Sequence, residues 1–467
     1  MKTRAATKSR PGKPRRRTRK PAGEREGFAL LMSLVAIAIL AVLITDLHET
    51  TGMGFAAANA QRDRLKAEYL AKSGVNLTRM LIGQEPTLRK IVDPMYRALI
   101  GRRAPQIPVW DFANTILKPF SDFEGSKADV ATAGFDLNMS EGLGSTGGSF
   151  EVIGMAENTK INLNTRSLSD PSSTPVQVAM LLYSLSGGTL PSPNKYDALF
   201  SKFDERGRLT TRLDLIANVI DWWDYDEQRA QFDPALATLT NAGGEDVDYY
   251  RSRDDPYSMK NAPLDSLEEL RLIRGIDDDF WATFIEPDPE DVRQTQVTIY
   301  GAGYVNPNGA EPRVLLSRVC SFPEVQQQLL CSDPTGQEAL KFMTLVTFAR
   351  SMAPIPWFSR PRDFVDFISG NERGLYGKMQ SLMGNFGGGE TMLFTPVVLP
   401  DDQDFMRRFR RAFTTRAEIL SFEVTARVGG VQTRLRTVLQ FDKSWVPPPP
   451  NAGAMPPLGI YYYYRID

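Results

Sequence analysis

Hydrophobic and polar positions alternate in three different ways along the chain. Phe28 to Ile44 (FALLMSLVAIAILAVLI) is a run of 17 residues without a charge. As a helix rising 1.5 Å per residue it spans about 25 Å, slightly less than a bilayer core of about 30 Å. Adding Thr45, with local thinning, makes residues 28–45 a single membrane span. From Phe55 through Ile82 the apolar positions Leu65, Tyr69, Leu70, Val75, Leu77 and Leu81 recur at helical spacing among Arg62, Asp63, Arg64, Lys66 and Glu68. This predicts an amphipathic continuation of the same helix, weakened by Gly52 and Gly54.

The rest of the chain mixes two periods. Phe150, Val152 and Ile153, and later Val297, Ile299 and Tyr300, are β-formers entering Asn/Gly turns. Leu420 to Phe441 alternates apolar and polar residues around Gly429-Gly430, the signature of a hairpin, and Tyr461 to Tyr464 predicts one further edge strand. Between about Ser167 and Asp366 helical patterns dominate: Val176 to Leu185, Arg212 to Trp223, and Leu264 to Arg274. The last opens on Ser266-x-x-Glu269, a capping-box pattern, and stops at Gly275. The expected class is α+β, with a long N-terminal helix packed on a small antiparallel sheet that a large helical insertion interrupts. The expected divisions are a basic leader (1–27), a stem helix (28–82), the first part of an αβ head (83–166), an inserted helical region (167–370) with a strand near 296–306, and C-terminal strands completing the head (371–467).

Charge separates the leader from the remainder. The whole chain carries 55 basic and 56 acidic residues, but 11 of the basic and two of the acidic ones lie in the first 27 positions. A leader of net plus nine therefore precedes a body of net minus ten. The leader cannot bury enough apolar surface to fold, and its Arg-rich side is expected to stay cytoplasmic, leaving the body across the membrane. A single histidine, His48, and two cysteines argue against Cys/His zinc clusters and His-dependent triads, and no other catalytic constellation is found. An acidic body also fits poorly with binding driven by phosphates.

Three fates compete for the apolar run. A cleaved secretory signal could use Ala58-Asn59-Ala60, and a plain signal anchor would keep the leader. Neither explains why a glycine directly abuts the run at Gly27-Phe28. A basic leader ending in glycine, then phenylalanine, then an uninterrupted apolar helix resembles the type IV prepilin class. That resemblance implies a pilin-like fold, cleavage after Gly27 by a prepilin peptidase, and methylation of the new amino terminus at Phe28. The fifth residue from Phe28 is Met32, where most members of that class carry glutamate. An ionised group in hydrocarbon is costly and is tolerated there by pairing with a neighbouring subunit's amine. A subunit with Met32 makes no such pair, as suits one with no subunit above it; methionine is equally an ordinary apolar residue for a membrane helix.

Further segments resemble the minor pseudopilin K family of type II secretion systems. They are AEYLAKSGVNL (67–77), FEVIGMAENTKINLNT (150–165), LDLIANVIDWWDYDE (213–227), GGEDVDYY (243–250), YSMKNAPLDSLEELRLIRGI (257–276) and VTIYGAGYVNPN (297–308), followed by the two C-terminal strand-like runs. The long leader, the Gly-rich stretch 385–390 and the Pro-rich stretch 446–459 depart from the family. The resemblance implies a pilin-like head with an inserted α-domain of SAM-like or helix-hairpin-helix-like type. It also implies a non-enzymatic role at the tip of a periplasmic pseudopilus, export of folded exoproteins, and anchorage in the inner membrane. The implied partners are minor pseudopilins I and J, the major pseudopilin and the inner-membrane assembly platform.

The densest candidate chemistry is acidic. Asp221, Asp224, Asp226 and Glu227 leave a predicted helix C-terminus, and Glu245, Asp246 and Asp248 follow. Carboxylates at a helix's partly negative carbonyl end are disfavoured, and an oxygen-seeking dication such as calcium would remove the conflict. The spacing is not that of an EF-hand, and a solvated acidic loop remains the other reading. The family resemblance implies calcium in the inserted domain, with Asp221, Asp224, Asp226, Glu227, Glu245 and Asp246 as ligands. Leu264 to Ile276 also looks like half of a helix-hairpin-helix, which in a DNA-handling minor pilin would hold phosphates. Asp277, Asp278 and Asp279 would repel them. Cys320 and Cys331, on the oxidising side of the membrane in this topology, are placed to form a short-loop disulfide.

Overall fold

A computed structural model of the chain describes residues 23–121, 147–164, 174–203, 207–245, 247–289, 291–333, 335–352, 356–385, 393–441 and 459–467. Most of the leader (1–22), most of the Gly-rich stretch, the Pro-rich stretch up to residue 458, and Asp246 lie outside the described residues. Two compact units are distinguished, Met1–Leu65 and Lys66–Asp467. The first consists, where described, of one helical segment, and the apolar side chains from Phe28 to Ile44 are exposed along it. Among the described residues, one helix is long and apolar enough to cross a membrane, and it contains this run.

The second unit is α+β, as the periodicity predicts. Helix α1 runs from Gly23 to Ile100. The strands are β1 (Gly148–Ala156), β2 (Ile161–Asn162), β3 (Gln228–Asp233), β4 (Thr238–Gly244), β5 (Val297–Thr298), β6 (Ile419–Val428), β7 (Val431–Gln440) and β8 (Ile460–Ile466). A four-stranded antiparallel sheet has the order β1-β6-β7-β8. The expected hairpin is present with Gly429 in the left-handed region, and the tyrosine run forms the expected edge strand. The α1 residues Ala67, Leu70, Ala71 and Val75 pack against Phe150, Val152, Phe422, Val424 and Leu435 in a core of their own. The approach is close: a Cβ on Gly74 would lie 2.8 Å from Val424 Cγ1 and 3.0 Å from Phe150 Cδ2.

The described buried apolar residues from Ile161 to Phe413 gather into a second, larger core. Its main helices are Thr174–Leu185, Arg212–Trp223, Pro312–Cys320, Gln337–Met352, Pro361–Ile368, Leu375–Asn385 and Gln403–Arg411. The helical body thus enters the chain between β1 and β6, as expected, but its bounds differ from 167–370. It begins at Ile161, and residues 393–413 belong to it because Phe394, Phe405, Phe409 and Phe413 pack their rings on Phe322, Phe342, Phe364 and Phe367. A disulfide joins Cys320 to Cys331, with Cα atoms 5.6 Å apart and both residues buried.

Three other local expectations are corrected. The helix does not stop at Ile82. It passes Pro86 and Pro94 and reaches Ile100 because tertiary bonds hold the extra turns. Glu85 Oε1 accepts from Ile107 N (2.9 Å), Asp93 Oδ1 accepts from Ala104 N (2.7 Å), and the Tyr96 hydroxyl donates to Pro356 O (3.1 Å). At the other end α1 starts at Gly23, so Gly27 and Phe28 lie within the helix and not at its boundary. The segment after Ser266 is a 3-10 helix, Leu267–Leu272, without a Ser266 side-chain cap. Glu269 instead takes the Lys260 ammonium (2.8 Å) and the Asp265 N–H (3.1 Å).

The two cores meet at a buried polar knot. Glu157, just past β1, accepts from Lys160 Nζ (2.9 Å) and from the hydroxyls of Thr298 on β5 and Ser421 on β6. Burial alone would raise its pKa. The Lys160 charge and the hydroxyl bonds outweigh that and hold it below the ordinary carboxylate value.

Candidate functional site

The acidic segment is positioned by helix Arg212–Trp223. A reciprocal capping box fixes its start: Thr211 Oγ1 accepts from Asp214 N, and Asp214 reaches back to Thr211 N. Nine consecutive residues from Leu215 to Trp223 are buried, which anchors the helix and carries its C-terminus into the body. There the chain turns into the β3–β4 hairpin, an element the sequence reading missed. The hairpin brings Glu245 back beside the helix end, with Glu245 N donating to Glu227 O (3.3 Å).

The six proposed ligands separate on inspection. Asp221 is buried and its Oδ1 accepts from Ala230 N (2.7 Å), so it fastens the start of the hairpin to the helix. Asp224 and Glu245 each have a buried carboxylate oxygen without a hydrogen-bond partner. Asp226 is exposed, with Oδ1 accepting from Gln228 N (2.8 Å), and Glu227 is exposed. Asp246 lies outside the described residues. The sequence reading also missed Asn261. It sits in the left-handed region, donates to Asp226 O (2.9 Å), bonds Glu245, and leaves its own Oδ1 buried and unpartnered. An asparagine at a tight turn just before Ala262-Pro263 was the available signal.

The electrostatics are unfavourable as they stand. Burial, followed by the charges of Asp224 and Glu245, pushes Asp221 up to about 7 against the opposing Ala230 N–H. Burial, then Asp226 and Glu245, pushes Asp224 up to about 7 as well. Glu245 is raised by burial and by Asp226 and Glu227. Among the described residues no three Asp, Glu, His or Cys side chains converge tightly enough to form a metal cage by themselves. The carboxylates are near enough to repel one another without closing on a point. Three orphaned oxygens, from Asp224, Glu245 and Asn261, nevertheless fit the oxygen-rich, mixed carboxylate and amide donor set of a hard dication.

Elsewhere the expected sites are simpler. Met32 is exposed on α1, as are its apolar neighbours. In the hairpin-like segment Lys202 pairs with Asp277 (2.6 Å) and with Asp279, and Arg271 pairs with Asp278 (2.7 Å), so these aspartates engage the cations beside them.

No protein-family model and no curated protein matches the chain. Among solved structures it is similar in fold to a chain of the GspK-GspI-GspJ complex of the enterotoxigenic Escherichia coli Type 2 Secretion System. That match has 11% identity and a TM-score of 0.42, and covers 88% of this chain and 99% of the other. A likeness of this size leaves the functional reading to the chain's own residues.

Proposed function

We propose that the chain is a K-type minor pseudopilin, a non-enzymatic tip subunit that initiates or caps the pseudopilus of a type II secretion system. The observation that carries this reading is a combination. An apolar run beginning at Phe28, directly after Gly27, lies in helix α1, residues 67–75 of α1 pack on an antiparallel sheet, and a helical body enters that sheet between β1 and β6. In this reading residues 28–45 anchor the protein in the inner membrane with the leader cytoplasmic and the acidic body periplasmic. A prepilin peptidase cuts after Gly27 and Phe28 is methylated. Glycine is a weak helix former, which favours local opening of α1 at the cleavage site.

Met32 suits a subunit that pairs with none above it. Minor pseudopilins I and J are the neighbours, with the major pseudopilin below and the assembly platform in the membrane. Asp224, Glu245 and Asn261, joined by Asp221, Asp226, Glu227 and Asp246, would hold calcium, which supplies the positive charge that the crowded carboxylates lack.

The test is co-purification of the chain from Phe55 onward with the cognate I and J heads in calcium. A stable complex is expected. Failure to form one, with capture of DNA instead, would support the DNA-handling minor pilin.

A further inference from the structure

The outer end of α1, from Pro86 to Arg97, forms one wall of an open groove of about 720 Å³. Residues 102–106, Ser359-Arg360 and Thr415-Arg416 form the others. This groove is strongly basic on a body whose net charge is minus ten once the first 27 residues are set aside. Arg89, Lys90 and Arg97 enter it from α1, Arg102 and Arg103 from the loop, and Arg360 and Arg416 from the opposite side. Among the described residues the carboxylates paired with these seven cations are Glu85, Asp93 and Asp363, four fewer than the cations. Glu85 pairs with Arg89 (3.1 Å), Asp93 with Arg97 (2.6 Å), and Asp363 with Arg102 and Arg360. Lys90, Arg103 and Arg416 are exposed and form no ion pair with a described residue.

We infer that this groove binds a short acidic segment of a partner protein through its carboxylates. The neutral polar side chains of the lining are already engaged with backbone groups. Gln106 exchanges hydrogen bonds with Ala417, Ser359 Oγ donates to Arg103 O, and Thr415 Oγ1 donates to Ser359 O. Unused hydrogen-bonding capacity therefore sits on guanidinium and ammonium groups, and guanidinium forks match carboxylates. The existing pairs to Glu85, Asp93 and Asp363 each engage one carboxylate oxygen, the other accepting from a backbone N–H, so the second arms of these guanidinium forks do not meet the same carboxylate.

The lining contains no aromatic ring on which a base could stack. A long polyanion or a charged membrane surface would meet the acidic remainder of the body once it extended past the groove by more than a Debye length of about 8 Å. A short acidic peptide fits within the basic region. The inference holds whether or not the chain is a pseudopilin.

The full chain in a neutral detergent, titrated into fluorescein-labelled hexaglutamate and followed by anisotropy, tests it. Saturable binding that weakens with added salt is expected. The variant Lys90→Glu/Arg103→Glu/Arg416→Glu is expected to bind about tenfold more weakly. Arg251→Glu/Arg373→Glu/Lys378→Glu makes the same change in net charge on exposed cations outside the groove and is expected to stay within about twofold. If the charge reversals disturb folding, Lys90→Gln/Arg103→Gln is expected to cost about threefold. Absence of saturable binding would overturn the inference, as would equal weakening by both triple variants. So would binding to phosphatidylglycerol vesicles, but not to the peptide, that the groove variant abolishes.

Discussion

Where α1 meets the four-stranded sheet, contact is made by small residues against apolar strands. Ala67 and Ala71 are fully buried, and Gly74 lets Val424 and Phe150 come within the space of a methyl group. In the helical body the interior is aromatic, crossed by a disulfide, and bordered by carboxylates whose pKa values burial has raised. The first region depends on shape alone. The second depends also on the ionic and redox state of its surroundings. The Glu157 knot, with partners on β5 and β6, ties the two together.

The contrast can be broken most strongly at Gly74. Gly74→Leu drives a side chain into Val424 and Phe150 and is expected to cost about 3 kcal/mol in denaturant unfolding, with the response to calcium unchanged. Calcium is expected to act on the other region. At tenfold excess over its dissociation constant it should stabilise the protein by about 1.4 kcal/mol, and Asp224→Asn should abolish that gain without loss of metal-free stability, as read by thermal melts with and without chelator.

The smallest effect is expected at the knot. Because the folded pKa of Glu157 lies below its ordinary value of 4.5, its contribution is complete above that pH and is lost as pH falls through the lower folded value. Glu157→Gln should therefore cost about 1 kcal/mol at neutral pH and flatten the decline in stability below pH 4.5. Two separate unfolding transitions in this variant, against one in the parent, would show that the knot couples the cores.

Much of the sheet region was legible because its signals are local. Alternation around Gly429-Gly430 named the hairpin to within a residue or two, and the apolar run named the one described helix apolar enough to cross a membrane. Helix Arg212–Trp223 was equally clear from its period, and its bounds match those expected. The misreadings arose where distant contacts override local preference. Glycine and proline near positions 83 and 86 mark a helix end by propensity, yet bonds from residues 104 and 107 sustain α1 past them. Phe394 to Phe413 read as part of the head because nothing local reveals that their ring partners lie on helices far back in the chain.

The acidic cluster shows the same division. Asp221 and Asp224 were found from composition, but the hairpin that returns Glu245 to them was not, because QRAQFD has no β-branched residue and TLTNAGG ends in the turn-like Asn-Ala-Gly-Gly. Asn261 carried no charge to draw attention. Its role follows from a left-handed backbone and a buried oxygen, which only the fold reveals.

The proposed role requires that the apolar helix be a processed pseudopilin stem. Intact-mass and amino-terminal analysis of the full chain, extracted from membranes of a host with a prepilin peptidase, tests it most directly. A 440-residue protein beginning at N-methylated Phe28 is expected. A retained leader, or a soluble product beginning after Ala60, would contradict it.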